Sequence, residues 1–535
     1  MAYPRLCCFI TIGASLLGGV AGKKSYLVIL DAGSTGTRAH VFEYKKRMLY
    51  VEQLPHVVPQ KLSLPKSLGD YKVRPGISSY STHPEDLEAY ITPIIEQAKD
   101  KILRHSEKHG YHVKIKHVPL YLSATAGMRM LDDFLRDKVM KALRKYFTSS
   151  RCPFHVPHHG QVRVLAGEEE GVFGWLSTNM ALGTLGGNAA GTHGALDLGG
   201  ASAQISFLPE ATSILSNMFT MHFGNFSEGP IHIYTHSFLQ YGYVTSFQNS
   251  AKNLAETSYD SRSFGHPCLP SGVLWNTTAG QYGVSTSGGH IERTKGSTRI
   301  KGTGNFFQCR ALARGMMYRT RCPVQPCSIL SEYQPRLQNS KFLAFGAYAH
   351  IFYLLDIPLD PQTPVLEILQ QKLESWCKMG MQQQQSAVTG KDIGTLQAKL
   401  ELSCWMGAWI LELLTSGLGF PINTRNIIWG QDIDWTQGQA LYEINFFPYV
   451  IDAAESMHLT GLLPDHKRPT SKQAVSDSSE VAVASPSLAI QTSMPSFLLT
   501  AAFGLAIFAA GFWLGRADRH RASGAHEART HLLAK

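Results

Sequence analysis

No segment that reads as folded carries a basic patch interleaved with aromatic residues, so a nucleic-acid role is excluded despite a formal net charge of +10. Part of that excess lies in the last twenty residues, where five Lys/Arg face only Asp518 and Glu527. No glycine-bearing turn ends in Gly-Lys-Ser/Thr, which rules out a Walker-type phosphate loop. Cys322 and Cys327 have no second CxxC or His pair at zinc-ligand spacing, so a zinc module is not expected. With 44% apolar and 17% charged residues, global disorder is excluded, and 535 residues call for more than one domain.

Both ends carry apolar runs. Arg5 precedes Leu6–Val20, and the small residues Val20, Ala21 and Gly22 follow; residues 1–22 read as a secretory signal or an uncleaved N-terminal anchor. Phe497–Leu514 is an uncharged run of eighteen residues, followed at once by Arg516, Arg519 and Arg521. That is the stop-transfer, positive-inside arrangement of a transmembrane helix. Residues 515–535 would be a cytoplasmic tail and the Ser/Ala/Val/Pro-rich stretch 464–495 a stalk. This topology predicts a cell-surface protein with its folded part outside, or one facing an endomembrane lumen. The cysteines beyond the first segment number seven, which in an oxidising compartment implies disulfides with one thiol left over. Sequons at Asn225 and Asn276 fit a glycosylated domain.

The strongest internal feature is a duplication. Leu27-Val28-Ile29-Leu30 leads into Asp31-Ala32-Gly33-Ser34-Thr35-Gly36-Thr37-Arg38, and Gly194-Ala195-Leu196 leads into Asp197-Leu198-Gly199-Gly200-Ala201-Ser202. Each copy is strand, Asp-x-Gly turn, hydroxyl residue, strand, which implies two related lobes facing one another. Helical patterns over Glu85–Leu103, Asp132–Phe147, Gly171–Leu182 and Val365–Trp376 complete a two-lobe α/β protein. On its apolar face Asp132–Phe147 would present Phe134, Leu135, Val139, Met140 and Leu143, while Gln382–Gln385 reads as a surface loop.

Glycine turns with hydroxyl side chains present backbone N–H groups to phosphate oxygens. Ser34, Thr35, Gly36, Thr37 and Gly199, Gly200, Ala201, Ser202 are therefore the expected phosphate loops. Asp31 and Asp197 would stand at equivalent positions beside them. Two hard carboxylates next to a polyphosphate suit Mg²⁺ or Ca²⁺ held through waters. Gln204 would point into the same cleft or serve as an ordinary strand residue. Of Glu168, Glu169 and Glu170, one would deprotonate an attacking water while the others favour a helix start. Ser123–Arg129 reads as a strand end turning into a helix, with Thr125 a candidate to hold the water and Arg129 an ion-pair partner.

Asp31–Arg38, Ala124–Arg129, Gly167–Gly171 with Gly174-Trp175, and Asp197–Ser202 occur in an order that resembles the first four apyrase regions of the ecto-nucleoside triphosphate diphosphohydrolase family. The resemblance covers roughly residues 26–460. It implies an actin-like, RNase H-like duplicated fold with the active site between lobes: 26–166 with 432–463 returning to it, and 167–431. It also implies hydrolysis of nucleoside tri- and diphosphates. In that reading Glu170 is the base and Thr125 and Ala126 position the water. Asp31, Asp197 and Gln204 organise the metal, while Trp435 stacks on the nucleobase. Phe342–Ala349 resembles the other base-clamping segment, with Ala349 at an aromatic position and Tyr348 in its stead. Implied disulfides are Cys268–Cys309, Cys322–Cys327 and Cys377–Cys404, leaving Cys152. Rival readings are a sugar kinase of the same fold and a silent receptor. Oligomeric state, including a homo-oligomer, stays open.

Overall fold

The computed structural model describes residues 24–46, 62–210, 216–221, 230–277, 298–317, 321–391 and 400–445. The expected signal, stalk, transmembrane run, tail and Asn225 lie outside them. Among the described residues no helix is long and apolar enough to cross a membrane.

Strands β1 (Lys24–Gly33), β2 (Gly36–Lys45) and β3 (Lys66–Val73) are antiparallel neighbours. Helix α1 (Leu87–Lys108) leads to β4 (Leu120–Ala124), then α2 (Ala126–Arg129), α3 (Asp133–Phe147) and β5 (Val162–Val164). The sheet order is β3-β2-β1-β4-β5, with β4 and β5 parallel to β1. The continuous apolar run of β1 is explained by burial on both faces. Val28 and Leu30 join the cluster that includes Ile91, Ile95 and Leu143, and Leu27 and Ile29 join a second cluster on the other face. The edge strand β3 is largely polar, as an unpaired edge requires.

Helix α4 (Gly167–Ala181) crosses to a second sheet of β6 (Gly194–Leu198), β7 (Ser202–Phe207), β8 (Met218–Met221) and β9 (Ile231–Leu239). Helix α5 (Tyr243–Thr257), the small sheet of β10 (Ser263–His266), β11 (Leu274–Thr277) and β12 (Thr298–Gly302), and α6 (Phe306–Gly315) come next. They precede β13 (Phe342–Gly346), α7 (Ala347–Leu354), α8 (Val365–Trp376), α9 (Met381–Ala387), α10 (Ser403–Glu412) and β14 (Ile427–Trp429). The large sheet runs β14-β13-β6-β7-β9-β8. Its β6–β7 and β7–β9 pairs are antiparallel, while β6–β13 and β13–β14 are parallel. Apart from β8, this repeats the order and directions of the first sheet. Both sheets therefore end an equivalent strand at the duplicated Asp. The last described element, α11 (Trp435–Asn445), packs on α4 and reaches back to β1. An added Cβ at Gly438 would lie 1.8 Å from the Phe173 carbonyl oxygen, so the two helices touch backbone to backbone.

Disulfides Cys268–Cys309, Cys322–Cys327 and Cys377–Cys404 form as implied, and Cys152 is a buried free thiol. Helix α8 has the expected bounds. α3 starts behind Asp132, whose carboxylate accepts the Leu135 N–H at 2.9 Å. Two expectations fail. Gln382–Gln385 lies within α9, not a surface loop, because Gln384 is fully buried and donates to the Trp376 carbonyl at 3.1 Å. Phe134 is exposed, with the Lys138 ammonium 4.2 Å above its ring, so the buried face of α3 begins at Val139.

Candidate active site

A cleft of about 550 Å³ opens where the two hairpin turns meet. Gly33, Ser34 and Thr35 line it from one side and Gly199, Gly200, Ala201 and Ser202 from the other. The turns are in contact: a Cβ on Gly200 would come within 2.8 Å of the Ser34 hydroxyl. Gly36 and Thr37, expected to bind phosphate, turn away. Gly36 is packed against the Val73 carbonyl, and Thr37 is fully buried, accepting from the Tyr90 hydroxyl at 3.1 Å.

Asp31, Asp197 and Glu170 all line the cleft. Loss of water pushes the Asp31 carboxyl up to about 7, with Arg38 opposing and Glu170 and Asp434 reinforcing the rise. Asp197 is raised well above its ordinary value, first by burial and then by repulsion from Glu170, Asp31 and Asp434. Glu170 is raised by burial against the pull of Arg129. Arg129 donates to Glu170 Oε2 at 2.9 Å, to the Leu165 carbonyl at 2.9 Å and to Ser202 Oγ at 3.3 Å. It thereby ties the start of α4 to the second turn. The neighbouring acids are spoken for: Arg163 forks onto Glu169 at 2.6 and 2.9 Å, and Glu168 lies 3.9 Å from His236. Thr125 and Ala126 line the cleft at the strand-to-helix step, as expected.

Gln204 sits beneath this floor, donating to Ser202 at 2.8 Å and Ser237 at 3.2 Å. Its Oε1 and the Oδ1 of Asp31 are buried acceptors with no hydrogen-bond partner among the described residues. Cleft carboxylates raised by burial and mutual repulsion outline a cage. Among the described residues no three His, Cys, Asp or Glu side chains cluster closely enough to grip an ion directly, so a cation would be held through waters. The donor set is hard oxygen throughout, so it fits a divalent cation such as Mg²⁺ or Ca²⁺.

The cleft wall carries residues not singled out from sequence. Cross-strand pairs Arg38–Lys72 and His40–Asp70 stand side by side on β2 and β3, and Arg38 reaches Asp70 at 3.0 Å. Lys72 and Arg74 complete a basic wall. His40 lies 3.6 Å from Asp434, and burial holds its imidazole below the ordinary value. The signal was available: positions 38 and 40 on β2, like 70 and 72 on β3, alternate on one face of a strand.

The two aromatic residues expected at the base part company. Tyr348 is fully buried in the core and absent from the cleft lining, whereas Trp435, 5% exposed at the start of α11, lines the cleft. Tyr243, half-buried, and His350, exposed, border the cleft as well. Asn276, the first residue of the second sequon, is exposed on β11.

A family model described as the GDA1/CD39 (nucleoside phosphatase) family matches residues 20–462. Probable apyrase 4 of Arabidopsis thaliana is 29% identical over 446 residues, covering 80% of this chain and 81% of that protein. Ectonucleoside triphosphate diphosphohydrolase 1 of Bos taurus is 28% identical over 481 residues, covering 82% and 86%. In fold the chain is similar to a crystal structure of nucleoside triphosphate hydrolases from Neospora caninum. That match has a TM-score of 0.55 at 18% identity and covers 79% of this chain and 93% of that one.

Proposed function

Because this chain belongs to the GDA1/CD39 (nucleoside phosphatase) family, we propose that its cleft hydrolyses the terminal phosphates of nucleoside tri- and diphosphates with Glu170 as the base. The observation that carries the assignment is Glu170 itself, a cleft carboxylate raised by burial and oriented by Arg129. A raised carboxylate is a stronger base once ionised, which suits proton abstraction from water near neutral pH. Thr125 and Ala126 hold the water against the terminal phosphorus. The water oxygen bonds to phosphorus, its proton passes to Glu170, and the bond to the bridging oxygen breaks. Backbone N–H groups of Ser34, Thr35 and Gly200–Ser202, with Arg38, Lys72 and Arg74, take up the developing charge. Asp31, Asp197 and Gln204 would hold a divalent cation through waters, and such an ion neutralises polyphosphate charge. The nucleobase rests at the mouth beside Trp435, Tyr243 and His350, and not on the buried Tyr348.

The duplicated sheet order supports an actin-like, two-lobe architecture, with 26–166 and the returning 432–463 as one lobe and 167–431 as the other. A membrane-anchored enzyme acting outside the cell or in an endomembrane lumen follows from Phe497–Leu514 and the basic tail. The deciding experiment measures phosphate release from ATP, ADP, UDP and GDP with Mg²⁺, Ca²⁺ or excess chelator. Release that stops in chelator and returns with either ion is expected. Full activity in chelator would overturn the metal assignment, and transfer to a sugar without free phosphate would favour a kinase.

A further inference from the structure

A second cavity, of about 280 Å³, lies at the opposite end of the large sheet from the cleft. Its lining comes from the starts of three parallel strands and one loop. His193 precedes β6, Lys341 and Phe342 open β13, Arg425, Asn426 and Ile428 lead into β14, and Pro361 and Gln362 close the side. Gly194, Phe342 and Ile427 are adjacent in register, so this end of the strands is flush. The same strands finish at the cleft with Asp197 and Gly346. At about 3.3 Å per residue the two sites are on the order of 15 Å apart.

The lining has a consistent chemistry. Lys341 and Arg425 are exposed, and among the described residues neither forms an ion pair. No carboxylate lines the cavity, and the nearby Asp360 is engaged, accepting the Gln362 N–H at 3.1 Å. His193 contributes a half-buried ring whose Nδ1 lies away from solvent. Burial and the neighbouring Lys341 hold its imidazole below the ordinary value, against a hydrogen bond with the Gly191 backbone. Phe342 and Ile428 add an apolar wall, and Gln362 and Asn426 supply amides. Two cations without a counter-carboxylate create a positive potential inside a concave surface. The planar fork of Arg425 suits a tetrahedral oxyanion.

We propose that this cavity is a second binding site, for a phosphate group, either free phosphate or a small phosphate monoester, held by Lys341 and Arg425 beside His193. It has about half the volume of the cleft, which limits the ligand to a small one. Nothing in this assignment depends on the hydrolase reading.

The test titrates the full protein, in chelator, with inorganic phosphate and separately with adenosine 5′-monophosphate. Calorimetry reads affinity, and the His193 ring signal, assigned by its loss in His193→Gln, reads location. The His40 ring signal reports cleft occupancy separately. The expected result is a ligand-dependent shift of the His193 signal, weakened at least ~tenfold in Lys341→Glu/Arg425→Glu. Melting curves check that this variant folds; if it does not, Arg425→Ala replaces it. Shifts with both ligands, or with the monophosphate alone, support the site and tell free phosphate from an ester. A His193 signal that stays still with both ligands, or an unchanged affinity in the variant, overturns it.

Discussion

Asp31 and Asp197 end equivalent strands of the two sheets, yet across its hairpin Asp31 pairs with Arg38 whereas Asp197 pairs with Gln204. The backbone plan is repeated and the charge plan is not. Arg38 opposes the rise of the Asp31 pKa, while around Asp197 every charged neighbour pushes it upward and only a hydrogen bond with Leu198 opposes. One cross-strand position thus specialises a duplicated turn. The first hairpin, with Lys72 and Arg74 beside it, is built to meet phosphate. The second, with the unpartnered oxygen of Gln204 below, is built to face a cation. Duplication supplies the geometry twice, and the asymmetry makes the pair useful for a metal–polyphosphate substrate.

Glu170 lies between the hairpins and influences both aspartates, so its removal has the largest expected effect. Glu170→Gln keeps size and hydrogen bonding, and kcat should fall by about 10²–10⁴ with KM little changed. Glu168→Gln and Glu169→Gln should do far less, since Glu169 is committed to Arg163 and Glu168 faces His236. Near-normal turnover by Glu170→Gln would remove the base from the cleft. Next comes the cation side. Asp197→Asn should weaken Mg²⁺ or Ca²⁺ activation by about 10–100-fold, and Asp31→Asn by less, because Arg38 already offsets part of that charge. Metal titrations of activity and of melting temperature measure both, and equal losses would break the comparison. Arg38→Gln converts the first hairpin to the pattern of the second. Lys72 and Arg74 remain, so the nucleotide KM should rise only about tenfold, with metal affinity unchanged or higher. A fall in metal affinity would mean Arg38 organises the cage and not the phosphate.

The sequence made the hairpins legible because an Asp-x-Gly turn after an apolar strand is a local pattern, and its repetition predicts matching lobes. The disulfide pairing came with the family resemblance and not from spacing. Side-chain facing across long sequence distances was hidden. Trp435 stands in a motif, but its burial follows from α11 packing on α4, a tertiary event. Tyr348 and His350 are two residues apart on one helix, and only the fold decides which points to the core and which to the mouth. Gln384 shows the same limit, since a polar tract looks like a loop until its amide is seen bonded under α8. The basic wall of β3 was missed because an edge strand rich in Lys and Asp resembles any solvated edge.

The smallest predicted effect separates the two turns by sterics alone. A Cβ on Gly33 would lie 3.4 Å from the Gly36 oxygen and 3.6 Å from Asp31 Oδ1, which is ordinary contact. On Gly200 it would lie 2.8 Å from Ser34 Oγ and 3.2 Å from Thr35 Cγ2, too close without movement. Gly33→Ala should therefore be neutral, or slightly stabilising by restricting the unfolded chain, by up to ~0.5 kcal/mol. Gly200→Ala should cost about 1 kcal/mol, at the low end for overpacking because a serine hydroxyl can rotate away. The source of that cost is testable by a double-mutant cycle on melting temperature. Ser34→Ala removes the clashing oxygen, so in the Gly200→Ala background it should recover most of the loss, whereas alone it should change stability little. If the two substitutions simply add, the turns do not press on each other through Ser34, and the close meeting of the hairpins is not what positions their N–H groups.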